Sequence, residues 1–164
     1  MAFITQGSTV ISFADYDDAL TIDQRVFEEN EGLNADDVED ALIRSTERIL
    51  DILRNTAWYR RLALSQGASV LTIPAVSANK IVSRQNDFTD LCVFYALHNY
   101  LLPKIADFGT EDNAERVKID FYLAKFNTLL EELLSDGDWY DYSGDGTVNT
   151  DEIQPFPVNY QRVR

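Results

Sequence analysis

The chain has 164 residues, of which 45% are apolar and 12% aromatic. That is enough for one domain with a core, and it excludes an unfolded polymer. Acidic residues number 28 against 14 basic ones, a formal charge of −14, which excludes a grip on nucleic-acid phosphates or an anionic membrane surface. It does not exclude a wall past which DNA slides, because such a wall benefits from repelling phosphate.

Cys92 is the single cysteine, so no intrachain disulfide forms, which fits a reducing compartment. No stretch is long and apolar enough to span a bilayer. The first residues lack a basic segment followed by an apolar run, so no signal peptide is expected and the cytoplasm is the expected place of synthesis.

In chain order, Phe3-Ile4 and Val10-Ile11-Ser12-Phe13 read as an extended arm or short strand leading into the domain. Residues 16–31 are acidic with a helical apolar side of Ala19, Leu20, Ile22, Val26 and Phe27. The clearest helix starts at the N-cap Asn34. Asp36 and Asp37 complement the dipole of its first turn, and Val38, Ala41, Leu42, Ile49, Ile52 and Leu53 form one face. Trp58, Tyr59, Arg60 and Arg61 follow. Arginine and aromatic residues favour interfaces, so these four are a candidate contact patch; the alternative is a helix C-terminus whose cations suit the dipole.

Residues 66–86 are a connector punctuated by Gly67, Pro74 and several serines, with a short extended piece at Val70–Ile73. A second helix over 86–106 is apolar on most sides, through Phe88, Leu91, Cys92, Tyr95, Ala96, Leu101, Leu102 and Ile105. This suits the centre of a bundle or a place against a neighbour. Pro103 should kink or interrupt it. A third helix over 111–134 carries Ile119, Tyr122, Leu123, Phe126, Leu129, Leu130 and Leu133, and Gly137 ends it. The expected fold is mainly α. It is a small bundle of three main helices with extended N- and C-terminal arms, divided into a helical body, 1–140, and a loop with tail, 141–164.

Residues 141–152 carry the one motif that names a chemistry. Asp141, Ser143 and Asp145 match positions 1, 3 and 5 of the twelve-residue calcium loop, and Gly146 stands at the bend. Thr147 would offer its carbonyl, Asn149 would reach the ion directly or through water, and Glu152 would be the bidentate ligand. A hard cation takes about 6–8 oxygens, which this spacing can deliver. The expectation is structural Ca²⁺. There is no second loop, and Pro155 and Pro157 fall where an exit helix would run. Both features disfavour a sensor that moves two helices, and they make the loop a clamp for the tail. The alternative is a metal-free β-hairpin, Trp139–Tyr142 pairing with Thr147–Thr150 around the Gly-Asp-Gly turn.

Nothing points to catalysis. His98, the only histidine, reads as packed or capping, and Cys92 as an inert thiol among apolar neighbours. The paired acids read as solvated faces. In the tail, Phe156, Tyr160, Arg162 and Arg164 make an aromatic and basic segment suited to an acidic neighbouring copy, unless it is simply a frayed terminus.

The order of these features, from the capped helix 34–50 through the connector to Phe121-Tyr122-Leu123-Ala124-Lys125-Phe126-Asn127 and the Trp-Tyr-Asp-Tyr turn at 139–142, resembles the small helical head–tail connector (neck or adaptor) proteins of tailed bacteriophages. The resemblance covers residues 15–145 and leaves the calcium-type loop outside it. It implies a virion structural protein, assembled in the host cytoplasm as a homo-oligomeric ring of about twelve copies with cyclic symmetry. The ring would sit between the portal protein and the next neck or tail component, with DNA passing unbound and no catalytic residues. The other class in play is a small EF-hand-type calcium-binding interaction protein.

Overall fold

A computed structural model describes residues 3–24, 33–106 and 114–153. It is mainly helical. Strands β1 (Ile4–Gln6) and β2 (Thr9–Ser12) form an antiparallel hairpin, followed by α1 (Tyr16–Ile22), α2 (Ala35–Asn55) and α3 (Ala57–Ser65). After the connector come α4 (Gln85–Ala96), a π-helical turn at Leu97–Leu101 that leads into α5 (Leu102–Ile105), then α6 (Ala114–Asp136) and the single turn α7 (Thr150–Ile153).

Helix α4 is the centre, with α2 on one side and α6 on another. Phe88, Leu91, Cys92, Val93, Ala96 and Leu97 are all fully buried. Its apolar sides are thus covered within one chain, and they do not by themselves call for a neighbour. Helix α2 begins as its sequence dictates: the Asn34 side chain accepts from Asp37 N–H at 2.8 Å. Its buried face contains Ser45 and Thr46 in the gap between Leu42 and Ile49. The Thr46 hydroxyl accepts from Phe13 N–H at 3.0 Å and lies 3.4 Å from the Cys92 sulfur. A polar residue in the stripe thereby anchors the hairpin exit to the core.

The N-terminal segment is a hairpin folded onto the body and not an extended arm. Phe3 and Phe13 are buried, and the Phe3, Phe13 and Phe88 rings stack in succession, with centroids 4.7 and 5.4 Å apart. Asn79 fastens the hairpin from outside: its side-chain oxygen accepts from Val10 N–H and its amide donates to the Ser8 carbonyl. Val70–Ile73 is not an extended run either. Ser69 and Thr72 bridge across a turn that leaves Leu71 93% exposed.

Pro103 does not interrupt its helix. Its ring excludes the carbonyl four residues back, and the chain widens into the π-helical turn before resuming as α5. Among the described residues Arg84 is the only non-glycine with positive φ, at 55°. That backbone costs about 1–3 kcal/mol and is held by the guanidinium, which binds Asp87 at 2.6 Å and Asp136 at 2.5 Å, tying the start of α4 to the end of α6. A second tie joins α1 to α6: Lys118 donates to both oxygens of buried Asp23, and the Tyr122 hydroxyl adds a third bond at 3.0 Å.

Gly137 turns the chain out of α6 with φ +64°, and its N–H still bonds the Leu133 carbonyl. A Cβ there would stand 2.7 Å from Trp58 Nε1 and 3.1 Å from the Ile153 carbonyl oxygen. Gly137→Ala therefore combines a left-handed backbone with a steric clash and should destabilise the fold by about 1–3 kcal/mol. Urea unfolding followed by the fluorescence of the two tryptophans measures this; an unchanged midpoint would contradict the packing described.

Candidate functional site

The loop at 141–152 stands on an aromatic foundation. Leaving Gly137, the chain runs extended and pairs with the connector: Val82 N–H bonds the Trp139 carbonyl, and Asp141 N–H bonds the Lys80 carbonyl at 2.9 Å. This excludes the hairpin of 139–142 with 147–150, because the partner of the first segment is Lys80–Val82 and Asn149 already begins a helical turn. It also means that an extended segment, and not helix α6 itself, leads into the loop. Trp139 and Tyr140 are buried against Trp58, Tyr59 and Phe88. The Lys80 ammonium donates to the Tyr142 carbonyl and lies over the Tyr142 ring.

Within the loop the carboxylates of Asp141, Asp145 and Glu152 are each met by donors. Asp141 is only 2% exposed; it accepts from Gly144 N–H at 2.5 Å, Gly146 N–H at 2.7 Å and the Ser143 hydroxyl at 3.0 Å. Gly146 can present its N–H because its φ of +91° is open to glycine. Asp145 accepts from Thr147 N–H and hydroxyl through one oxygen and from the Asn149 amide through the other. Glu152, also 2% exposed, spans the loop: one oxygen takes Ser143 N–H at 2.8 Å, the other Asn149 N–H at 2.9 Å. The last bond, with Glu152 N–H on the Asn149 carbonyl, starts α7. The described part of that helix is the single turn Thr150–Ile153.

These bonds set the charge state. Burial pushes the Asp141 carboxyl up, but the Gly146 and Gly144 N–H groups and the Ser143 hydroxyl outweigh it and hold the carboxyl below its ordinary value. The Asn149 amide and the Thr147 hydroxyl and N–H pull Asp145 down to about 2.

The six positions read as ligands thus lie on one closed loop, and their donor set of carboxylate, amide, hydroxyl and carbonyl oxygens suits a hard cation. Asp141 Oδ2, Asp145 Oδ2 and the two Glu152 oxygens each accept one bond and keep a second lone pair, whereas Asp141 Oδ1 and Asp145 Oδ1 each accept two. Among the described residues no three His, Cys, Asp or Glu side chains converge as a ready metal cluster; here the backbone N–H groups neutralise the carboxylates. Gln66, at the end of α3, lines the hollow beside Ser143, Asn149 and Glu152, a neighbour that no local motif announces.

Of the proposed contact patch, only Arg60 and Arg61 face solvent. Tyr59 is buried on Tyr140, with its hydroxyl on the Ala75 carbonyl, and Trp58 is half-buried on Trp139. Helix phase turns both rings inward, so the patch is corrected to a pair of arginines beside the loop's aromatic base. Phe156, Tyr160, Arg162 and Arg164 lie outside the described residues. His98 sits in the π-helical turn, bonded to Asn99 and packed on Tyr95 and Phe126, with burial lowering its pKa. Cys92 is fully buried, and burial pushes its thiol up to about 12.

Compared with family models, with curated proteins and with solved structures, the chain matches none.

The depressed Asp145 carboxyl stabilises the folded loop fully above its ordinary pKa of 3.8, and this contribution is lost as pH falls toward about 2; Asp141, also held below its ordinary value, acts in the same direction. The expected outcome is a loop that opens in that window, seen as exchange of the Gly144 and Gly146 amide protons. Asp141→Ala should open it already at neutral pH, at a cost of about 1–3 kcal/mol for the stranded N–H groups. Amide protection unchanged by acid would contradict the bond pattern.

Proposed function

We propose that this chain is a virion structural protein of tailed bacteriophages, a ring-forming head–tail connector between the portal and the next neck or tail component. The observation that carries the reading, beside the resemblance in sequence, is apolar surface left uncovered on a chain of charge −14. Val117, Phe121 and Leu123 stand 67%, 52% and 39% exposed on α6, and Leu71 tips the connector turn. Large apolar side chains kept in water on an acidic body are what subunit contacts use. The acidic remainder of the ring would let DNA pass without adhering.

In this reading the loop holds Ca²⁺ as a clamp. Asp141, Ser143, Asp145, Thr147, Asn149 and Glu152 would surround the ion, and the ion would neutralise the loop's carboxylates where the body gives way to residues 154–164. The chain's own part is to fix the first ligand, Asp141, on the Lys80 carbonyl and to hold Glu152 across the loop. The loop also supports a second reading, a calcium-binding interaction protein outside a virus. Pro155 and Pro157, which a helix does not run through, and an entry segment pinned to Lys80–Val82 count against that reading, which needs a pair of helices to move.

Light scattering and native mass measurements, in Ca²⁺ and in a chelator, test both. The connector reading expects a ring-sized assembly that enters particles through the portal, and Phe121→Glu should abolish it while leaving the melting temperature unchanged. A monomer that changes shape with Ca²⁺ and never enters particles would sink it. Glu152→Gln should weaken Ca²⁺ binding by roughly tenfold or more, read by calorimetry; equal affinity would remove the loop as the site.

A further inference from the structure

A hollow of about 180 Å³ lies where the hairpin overhangs α2, walled by Ile4, Ile11, Ala14 and Ile43, with Asp15 and Glu39 also among its lining residues. It has room for one aromatic ring. Strand β1 borders it, and among the described residues no strand pairs with its outer edge. Thr5 pairs with Val10, whose N–H points away from β1 to Asn79. Thr5 therefore belongs to the pair whose backbone groups face outward. No described residue takes the outward N–H and C=O of Thr5, and an unpaired strand edge beside an apolar hollow is a template for an added strand.

The chain carries a segment of matching chemistry. Residues 154–164 contain two of the 14 basic residues and none of the 28 acidic ones. Pro155 and Pro157 exclude helix and favour extended backbone. Phe156, Val158, Tyr160, Arg162 and Arg164 then recur at every second position, which places them on one face of a strand. A cyclic ring joins two different patches of each copy, and this basic segment and the acidic residues lining the hollow are complementary in charge.

We propose that residues 154–164 of one copy dock along β1 of a second copy, seating Tyr160 in the hollow between the hairpin and α2 and bringing Arg162 and Arg164 to Asp15 and Glu39. The proposal rests on the ring reading and names the contact that closes each step of the ring.

Charge reversal in the full-length chain tests it. Glu39 is exposed on α2, so Glu39→Lys leaves the core intact, as a melting curve checks. Glu39→Lys in one chain, and Arg162→Glu with Arg164→Glu in another, should each weaken self-association by about tenfold or more. Mixed in equal amounts, the two should assemble again, because each tail then meets a complementary hollow on the other chain. The proposal is overturned if the wild-type chain is a monomer, if either reversal leaves assembly as in the wild type, or if the mixture stays monomeric. The last result would mean that a tail fills its own hollow. Assembly that obeys these charges but shows no affinity for a portal or a particle would sink the connector reading alone.

Discussion

The burial of Trp139 is the contact on which the rest depends. Its indole lies 4.7 Å from the Trp58 ring and 4.9 Å from Phe88, and its N–H donates to the Leu133 carbonyl at 2.8 Å. One side chain thereby joins α3, α4 and the end of α6, and its backbone carbonyl takes the connector's Val82 as well. Tyr140 extends the same base: its hydroxyl accepts from Ser77 N–H, and its ring meets Tyr59. Asp141 comes next in the chain, so the loop's first carboxylate starts from a fully packed position. Under the proposed Ca²⁺ reading, a carboxylate held this way would lose little freedom on meeting the ion.

The acidity of the chain is managed by where its few cations go. Arg84 meets Asp87 and Asp136 and lies 3.7 Å from Asp138; Lys118 holds Asp23, and Lys104 meets Asp37. Each of these three spans two elements and serves as a joint, whereas Arg48 meets Asp51 within α2. The Asp23 pair is the least exposed of them, and removing Lys118 would leave a carboxylate buried without its counter-charge, the costly case. The exposed acids repel one another across the surface, a term that salt screens.

Local signals in the sequence were enough for the three main helices, α2, α4 and α6, but not for α3, which begins afresh at Ala57. Asn34 caps α2 because capping needs only neighbours in the chain, and the oxygen spacing of 141–152 is likewise encoded within twelve residues. What escaped was the choice of distant partners. The alternation of Trp139–Tyr142 suits pairing with 147–150 or with 80–82 equally, and only the burial of Trp139 selects the connector. Trp58 and Tyr59 looked like interface residues beside two arginines, but the phase of α3 turns their rings inward. Leu123 shows the converse: it fits the apolar stripe of α6 and yet stands exposed. The site at Pro103 was legible as a disturbance, while its form, a widened turn at Leu97–Leu101, depends on the packing around it.

The short run from Asn79 to Val82 touches both the N-terminal hairpin and the entry to the loop, across separations of 71 residues from Asn79 to Ser8 and 62 from Lys80 to Tyr142. Neither end can be completed without the middle of the chain, and the middle gains its partners only from the two ends. Such pairings close large loops before they yield contacts, which slows folding relative to a bundle built from neighbouring helices. During synthesis the hairpin must wait for residue 79 and the aromatic base for residue 139. A nascent chain stalled before Trp139 would expose the faces of Trp58 and Phe88 that Trp139 covers.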